Sequence, residues 1–159
     1  MPPTGLEHLD IMEILLDALK AHVKSAATGR VTLPDTGFRL PLSLSDDTVL
    51  SPDIAFIGSE TLRQLPPPGT PGYKRYLAVA PDLAVEVASP GQHHPEMADK
   101  ARFYPQAGVR LIWVIWPASR QVDAWRANAD HPKILGVADM LIGLDVVPGF
   151  TLPVGRLFA

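Results

Sequence analysis

Leu9, Met12, Leu16, Leu19 and Val23 recur at spacings of three and four, with Glu13, Asp17, Lys20 and Lys24 turned the other way. That period predicts an amphipathic helix from Leu6 to about Ser25. Ile11, Ile14 and Leu15 widen its apolar stripe, so much of the circumference should be covered, and Gly29-Arg30 should end it. Phe38 to Leu44 then alternates, with Phe38, Leu40 and Leu42 or Leu44 against Arg39 and Ser43, which is the period of a strand. Ser45-Asp46-Asp47 reads as a turn and Thr48 to Phe56 as the returning strand of a hairpin. Ser59 to Leu62 can form a short helical turn, and Leu65 to Tyr73, with three consecutive prolines and two glycines, a surface loop. Asp82 to Ala88 is the third strand. Pro95 suits the first turn of a helix that runs to about Ala107, where Gly108 supplies a left-handed cap. Leu111 to Ile115 and Val122 to Trp125 are a fourth and a fifth strand, and the region around Val146 to Phe150 supplies edge strands and a closing turn. The sum is an α/β fold: a central mixed sheet, the first helix on one face and the helix from Pro95 on the other. With no internal repeat or linker, residues 1–159 read as a single domain.

Two of these strands carry acids where a buried strand should have none. Along Asp82 to Ala88, side chains alternate between faces: Leu83, Val85 and Val87 on one, and Asp82, Ala84, Glu86 and Ala88 on the other. Ser51-Pro52-Asp53-Ile54-Ala55-Phe56 repeats the arrangement, with Asp53 on the face of Ala55. Carboxylates flanked by alanines leave an acid-lined space beside the sheet. Burying an unpaired carboxylate is costly, so such a space calls for a proton, a cationic partner or a metal ion.

Composition narrows the chemistry. The chain has no cysteine, which removes disulfides, thiolate zinc sites and cysteine nucleophiles. No apolar stretch is long enough to span a membrane and no signal peptide opens the chain, so the expected setting is cytoplasmic, without a membrane partner. The net charge of −3 argues against polyanion binding over the whole surface; Lys74-Arg75 is the one adjacent basic pair. Adjacent histidines such as His93-His94 point apart on a loop and do not make a zinc site.

Pro81-Asp82-Leu83-Ala84-Val85-Glu86-Val87-Ala88-Ser89-Pro90, followed by Lys100, Tyr104, Ala107-Gly108-Val109 and Trp113, resembles the Uma-two family, which is classed with restriction endonucleases and assigned to the PD-(D/E)XK nuclease-like fold. The resemblance runs through Pro52-Asp53 to Pro148-Gly149-Phe150 and Leu157-Phe158, nearly the whole chain. It implies a restriction-endonuclease-like domain, a central mixed sheet flanked by helices. It also implies a nuclease that hydrolyses DNA phosphodiester bonds with Mg²⁺ or Mn²⁺. Asp53 and Glu86 would hold the cation with the main-chain carbonyl of Val87. Ala88 stands where the fold usually has its lysine, and Lys100 on the following helix matches the place to which this family has moved it. Asp82 would support the site, and His8 matches a histidine that lines the pocket or makes a structural bond.

Two departures bear on that expectation. The family's acids before the aromatic pair and before the proline are replaced in Leu111-Ile112-Trp113 and Trp116-Pro117. Met1-Pro2-Pro3 resembles an internal stretch of the family, which implies either a start placed late or the loss of an N-terminal strand pair. The alternative is therefore a non-catalytic homologue, a dimeric scaffold or nucleic-acid-binding module. An exposed sheet edge and three tryptophans point to a homodimer under either reading.

Overall fold

The structure, a computed structural model, describes residues 5–39, 49–67, 69–70 and 76–159. Met1-Pro2-Pro3, the expected turn Ser45-Asp46-Asp47, Lys74-Arg75 and part of the proline-rich loop lie outside the described residues.

Helix α1 (Leu6–Ala26) matches the expected span, but its buried arc centres on Ile11, Leu15 and Leu19 with His8, Met12 and Val23. Leu9, assigned to the stripe, is 45% exposed. Eight apolar positions cover more of the helix than one sheet face can bury, so the choice among them belongs to tertiary packing. The helix ends at Ala27, which adopts left-handed backbone with φ 53°. Gly29 is no terminator: it opens β1 (Gly29–Thr32), a strand too short to register in the hydrophobic pattern. A Cβ on Gly29 would sit 2.2 Å from the carbonyl oxygen of Ile57, so only glycine lets β1 close on its neighbour.

The expected hairpin survives as β2 (Phe38–Arg39) paired antiparallel with β3 (Val49–Leu50), with Phe38 opposite Leu50. The expected strand from Thr48 to Phe56 is not continuous. It breaks at Ser51-Pro52-Asp53 and resumes as β4 (Ile54–Gly58) in a different sheet, because proline cannot donate to a ladder. After β4 come α2 (Ser59–Leu62), β5 (Leu83–Val87), α3 (His94–Gln106), β6 (Leu111–Trp116), β7 (Gln121–Arg126) and β8 (Lys133–Leu135). Gly108 takes φ 101° just past α3, as a left-handed cap requires. A ribbon of β9 (Met140–Ile142) and β10 (Thr151–Pro153) and a 3₁₀ turn at Val154–Phe158 close the chain.

Among the described residues the main sheet has six strands in the order β1-β4-β5-β6-β7-β8. Only β5 and β6 run parallel, joined by the crossover through α3; the other pairs are antiparallel. The mixed sheet puts its helices on opposite faces, as the sequence predicts. On one face Phe56, Leu83, Val85, Leu111, Trp113 and Ile115 pack against α1. On the other, Ala84, Ala88, Ile112 and Val114 pack against Met97, Ala101 and Tyr104 of α3. The alanines at 84 and 88 give α3 room to lie close to β5, directly over the side chain between them, Glu86.

Candidate active site

Antiparallel β4 and β5 pair Phe56 with Leu83, Ala55 with Ala84 and Ile54 with Val85. One step beyond the last rung the same register sets Asp53 across from Glu86, and opposed residues of an antiparallel pair project to the same side. Where the backbone ladder stops, the Asp53 side chain takes over: its Oδ2 accepts the Val87 N–H at 2.8 Å. His8 Nε2, from the head of α1, lies 3.8 Å from the same oxygen, and His8 Nδ1 is buried without a partner among the described residues.

Glu86 is buried, and α3 supplies its company. Lys100 and Tyr104 are four residues apart and so share one side of the helix. Both reach Oε1 of Glu86, the Tyr104 hydroxyl donating at 2.5 Å and the Lys100 Nζ at 2.9 Å. Burial raises the Glu86 carboxyl above its ordinary range; the Lys100 charge and the Tyr104 hydrogen bond oppose that rise, and the Asp53 charge adds to it. Burial, and after it the charge of Glu86, holds the Tyr104 phenol well above its ordinary range, so it stays a proton donor to Glu86.

This donor set can be tested against a divalent cation. Among the described residues no three His, Asp or Glu side chains form a cation cage. The protein donors on offer are two carboxylates on neighbouring strands and the main-chain carbonyl of Val87, all oxygens. A donor set of few hard oxygens suits Mg²⁺ or Mn²⁺, which keep several waters in an octahedral shell. The desolvated carboxylate beside a second acid gains most from such a cation. The residues fit the group.

Asp82 does not join this site, contrary to expectation. It precedes β5 at the far end of the strand, four residues from Glu86, or about 13 Å at the rise of a strand. There its Oδ2 accepts the Gly58 N–H at 2.7 Å, and its Oδ1 accepts from Thr61 Oγ1 at 3.2 Å and Arg110 Nε at 3.3 Å. It ties the β4–α2 corner to the start of β6. Asp82→Ala should therefore cost about 2 kcal/mol of stability through its orphaned donors, while leaving Mn²⁺ affinity as in the wild type. Thermal melts and isothermal titration of the one variant read both quantities.

His93 and His94 do not serve the acids either. His94 stacks on the Trp116 indole with ring centres 3.8 Å apart. Trp116 Nε1 donates to Asp123 Oδ2 at 2.9 Å. No motif in the sequence marks Asp123, although it is the lone acid in an alternating strand. The registers Glu86–Val114 and Val114–Asp123 put it two strands from Glu86 on the same face. Burial raises its carboxyl, against the opposing effects of the Trp116 hydrogen bond and of His94. Arg110, also unremarked in the sequence, anchors Asp82 and reaches Asp145 at 3.8 Å.

A mixed sheet between helices, one parallel crossover and acids on adjacent antiparallel strands define a restriction-endonuclease-like protein. The chain belongs to the Uma2 family, described as "Putative restriction endonuclease", whose family model matches residues 1–155. Among solved structures it is similar to one titled as a "putative nuclease belonging to DUF820" from Anabaena variabilis ATCC 29413. That match has a TM-score of 0.79 and 18% sequence identity, and covers 98% of this chain and 82% of the other. A search of curated proteins finds no match.

Proposed function

We propose that the protein is a Mg²⁺-dependent phosphodiesterase that hydrolyses DNA. The observation that carries this reading is the meeting of Asp53 and Glu86 across one antiparallel register with Lys100 bonded to Glu86. Asp53, Glu86 and the Val87 carbonyl would hold the cation. Bound there, it would lower the pKa of a coordinated water and neutralise charge on the phosphate. Asp53 is fixed through the Val87 N–H, so the two acids keep their separation without reorganising. Lys100 is 42% exposed on its side chain and has a flexible stem, so it can leave Glu86 for a phosphate oxygen. Its charge would count most where negative charge develops in the transition state. On a duplex the protein would act as a homodimer, one copy for each strand, in a cytoplasmic setting; no helix among the described residues is long and apolar enough to cross a membrane.

The test is a time course on plasmid and short duplex DNA with Mg²⁺, Mn²⁺ or chelator, beside Mn²⁺ titration of the metal-free protein. Cleavage should require the cation. Lys100→Met should slow it by about 10²- to 10³-fold, the scale of losing one charge-stabilising donor, and still bind Mn²⁺. Wild-type protein that neither cleaves nor binds an ion would be the non-catalytic homologue. The absence of acids at Leu111 and Trp116 is the feature that favours that second reading.

A further inference from the structure

Glu86 receives both of its donors on one atom. The Tyr104 hydroxyl and the Lys100 ammonium converge on Oε1, at 2.5 and 2.9 Å, and leave Oε2 as the oxygen available to a ligand. The two donors differ in permanence. Lys100 has a mobile stem and a side chain 42% exposed. Tyr104 is 1% exposed and packed with Met97 and Ala101 over Ala84. Its ring has two side-chain torsions and no free space to use them. While the phenol stays, Oε1 is engaged and the carboxylate plane is fixed.

We propose that Tyr104 is a positioning residue which, through Glu86, sets the cation preference of the site. The inference rests on the metal-site reading above and concerns which ion that site takes. Held by Tyr104, Glu86 offers a cation one oxygen. One-oxygen carboxylates suit a small octahedral ion that keeps its waters, such as Mg²⁺ or Mn²⁺. A larger ion such as Ca²⁺ takes six to eight oxygens and gains from a carboxylate that binds through both. The phenol thus withholds from Ca²⁺ the second oxygen it would use. Without the hydroxyl, Glu86 can turn and present both, since Lys100 can follow or leave.

Tyr104→Phe removes the hydroxyl and keeps the ring that fills the space under α3. The measurement is isothermal titration of metal-free wild type and variant with Mn²⁺ and, separately, with Ca²⁺. In the variant, Mn²⁺ binding should weaken about tenfold, the lower end of what losing a partner of a metal ligand costs. Ca²⁺ binding should hold or tighten, so the ratio of the two dissociation constants moves by about tenfold toward Ca²⁺. A purely structural tyrosine would weaken both ions alike or neither, and either result overturns the proposal. Lys100→Met is the second arm: it removes the mobile donor and leaves the phenol, so the ratio should stay near the wild-type value. A shift in Lys100→Met as large as that expected for Tyr104→Phe also overturns it, whether or not Tyr104→Phe folds. A wild type that binds neither ion rejects the metal site itself, and this inference with it. A wild type that binds Mn²⁺ while the ratio ignores Tyr104 rejects the inference alone.

Discussion

Glu86→Gln is expected to end Mg²⁺-dependent cleavage, by about a thousandfold or more, and to remove Mn²⁺ binding. The amide keeps the shape of the side chain and can still accept from Tyr104 and Lys100, so the packing of α3 over β5 is preserved. What it loses is the charge that a cation between Asp53 and position 86 requires. The metal-free variant should nevertheless melt higher than the wild type at neutral pH. Burial raises the Glu86 carboxyl, with Asp53 adding to the rise and Lys100 and Tyr104 opposing it, so the folded protein holds that proton more tightly than the unfolded chain does. The ionised carboxylate therefore costs stability above the ordinary carboxylate range, and the glutamine removes that cost. The gain should shrink as the pH falls toward that range, where the wild-type Glu86 is protonated folded and unfolded alike. Melting curves of both proteins in chelator across the acid range check the sign. Equal melting temperatures at every pH would contradict it.

Trp113→Ala should have the largest effect on stability. Trp113 is fully buried in β6, at the middle of the sheet, against the face that α1 covers, with Phe150 at a ring-centre distance of 5.8 Å. Removing an indole from such a position costs about 3–5 kcal/mol, the transfer energy of the ring plus the cavity it leaves. Folded domains are stable by only about 5–15 kcal/mol, so the urea midpoint should drop steeply and much of the protein should be unfolded when warmed. Trp113→Phe should cost far less. The Trp113 indole N–H is buried without a hydrogen-bond partner among the described residues, and phenylalanine removes that unsatisfied donor while refilling most of the space. A cost for Trp113→Phe equal to that of Trp113→Ala would mean that the indole N–H makes a stabilising hydrogen bond which phenylalanine loses.

The parts of the site that were legible in the sequence are those governed by a period of two. Asp53 and Glu86 could be assigned to the same face because each is flanked by small residues in an alternating run, and the register agrees. Lys100 was placed by resemblance, since the pattern of the helix alone pairs it equally well with Glu96. Asp82 shows where alternation stops being informative. It shares a face with Glu86, but position along the strand decides function, and a proline-aspartate opening looks the same whether the acid meets a cation or a set of turn amides. The partnership of Tyr104 with Glu86 and that of Asp123 with Trp116 join residues on different elements. No local period encodes them. The short β1 is illegible in the sequence for a related reason: an edge strand of four residues is defined by its partner β4, not by its own pattern.

Asp53 adds a rung to the β4–β5 ladder with its side chain, taking the Val87 N–H that a backbone carbonyl would otherwise receive. That bond narrows what evolution or an engineer can place there. Asparagine has the reach to hold the amide but no charge to offer an ion. Glutamate carries the charge, but its extra methylene carries the carboxylate past the amide. Alanine satisfies neither demand and leaves an open end on the ladder. The position therefore admits one residue type for two independent reasons, and a substitution there would have to be compensated twice.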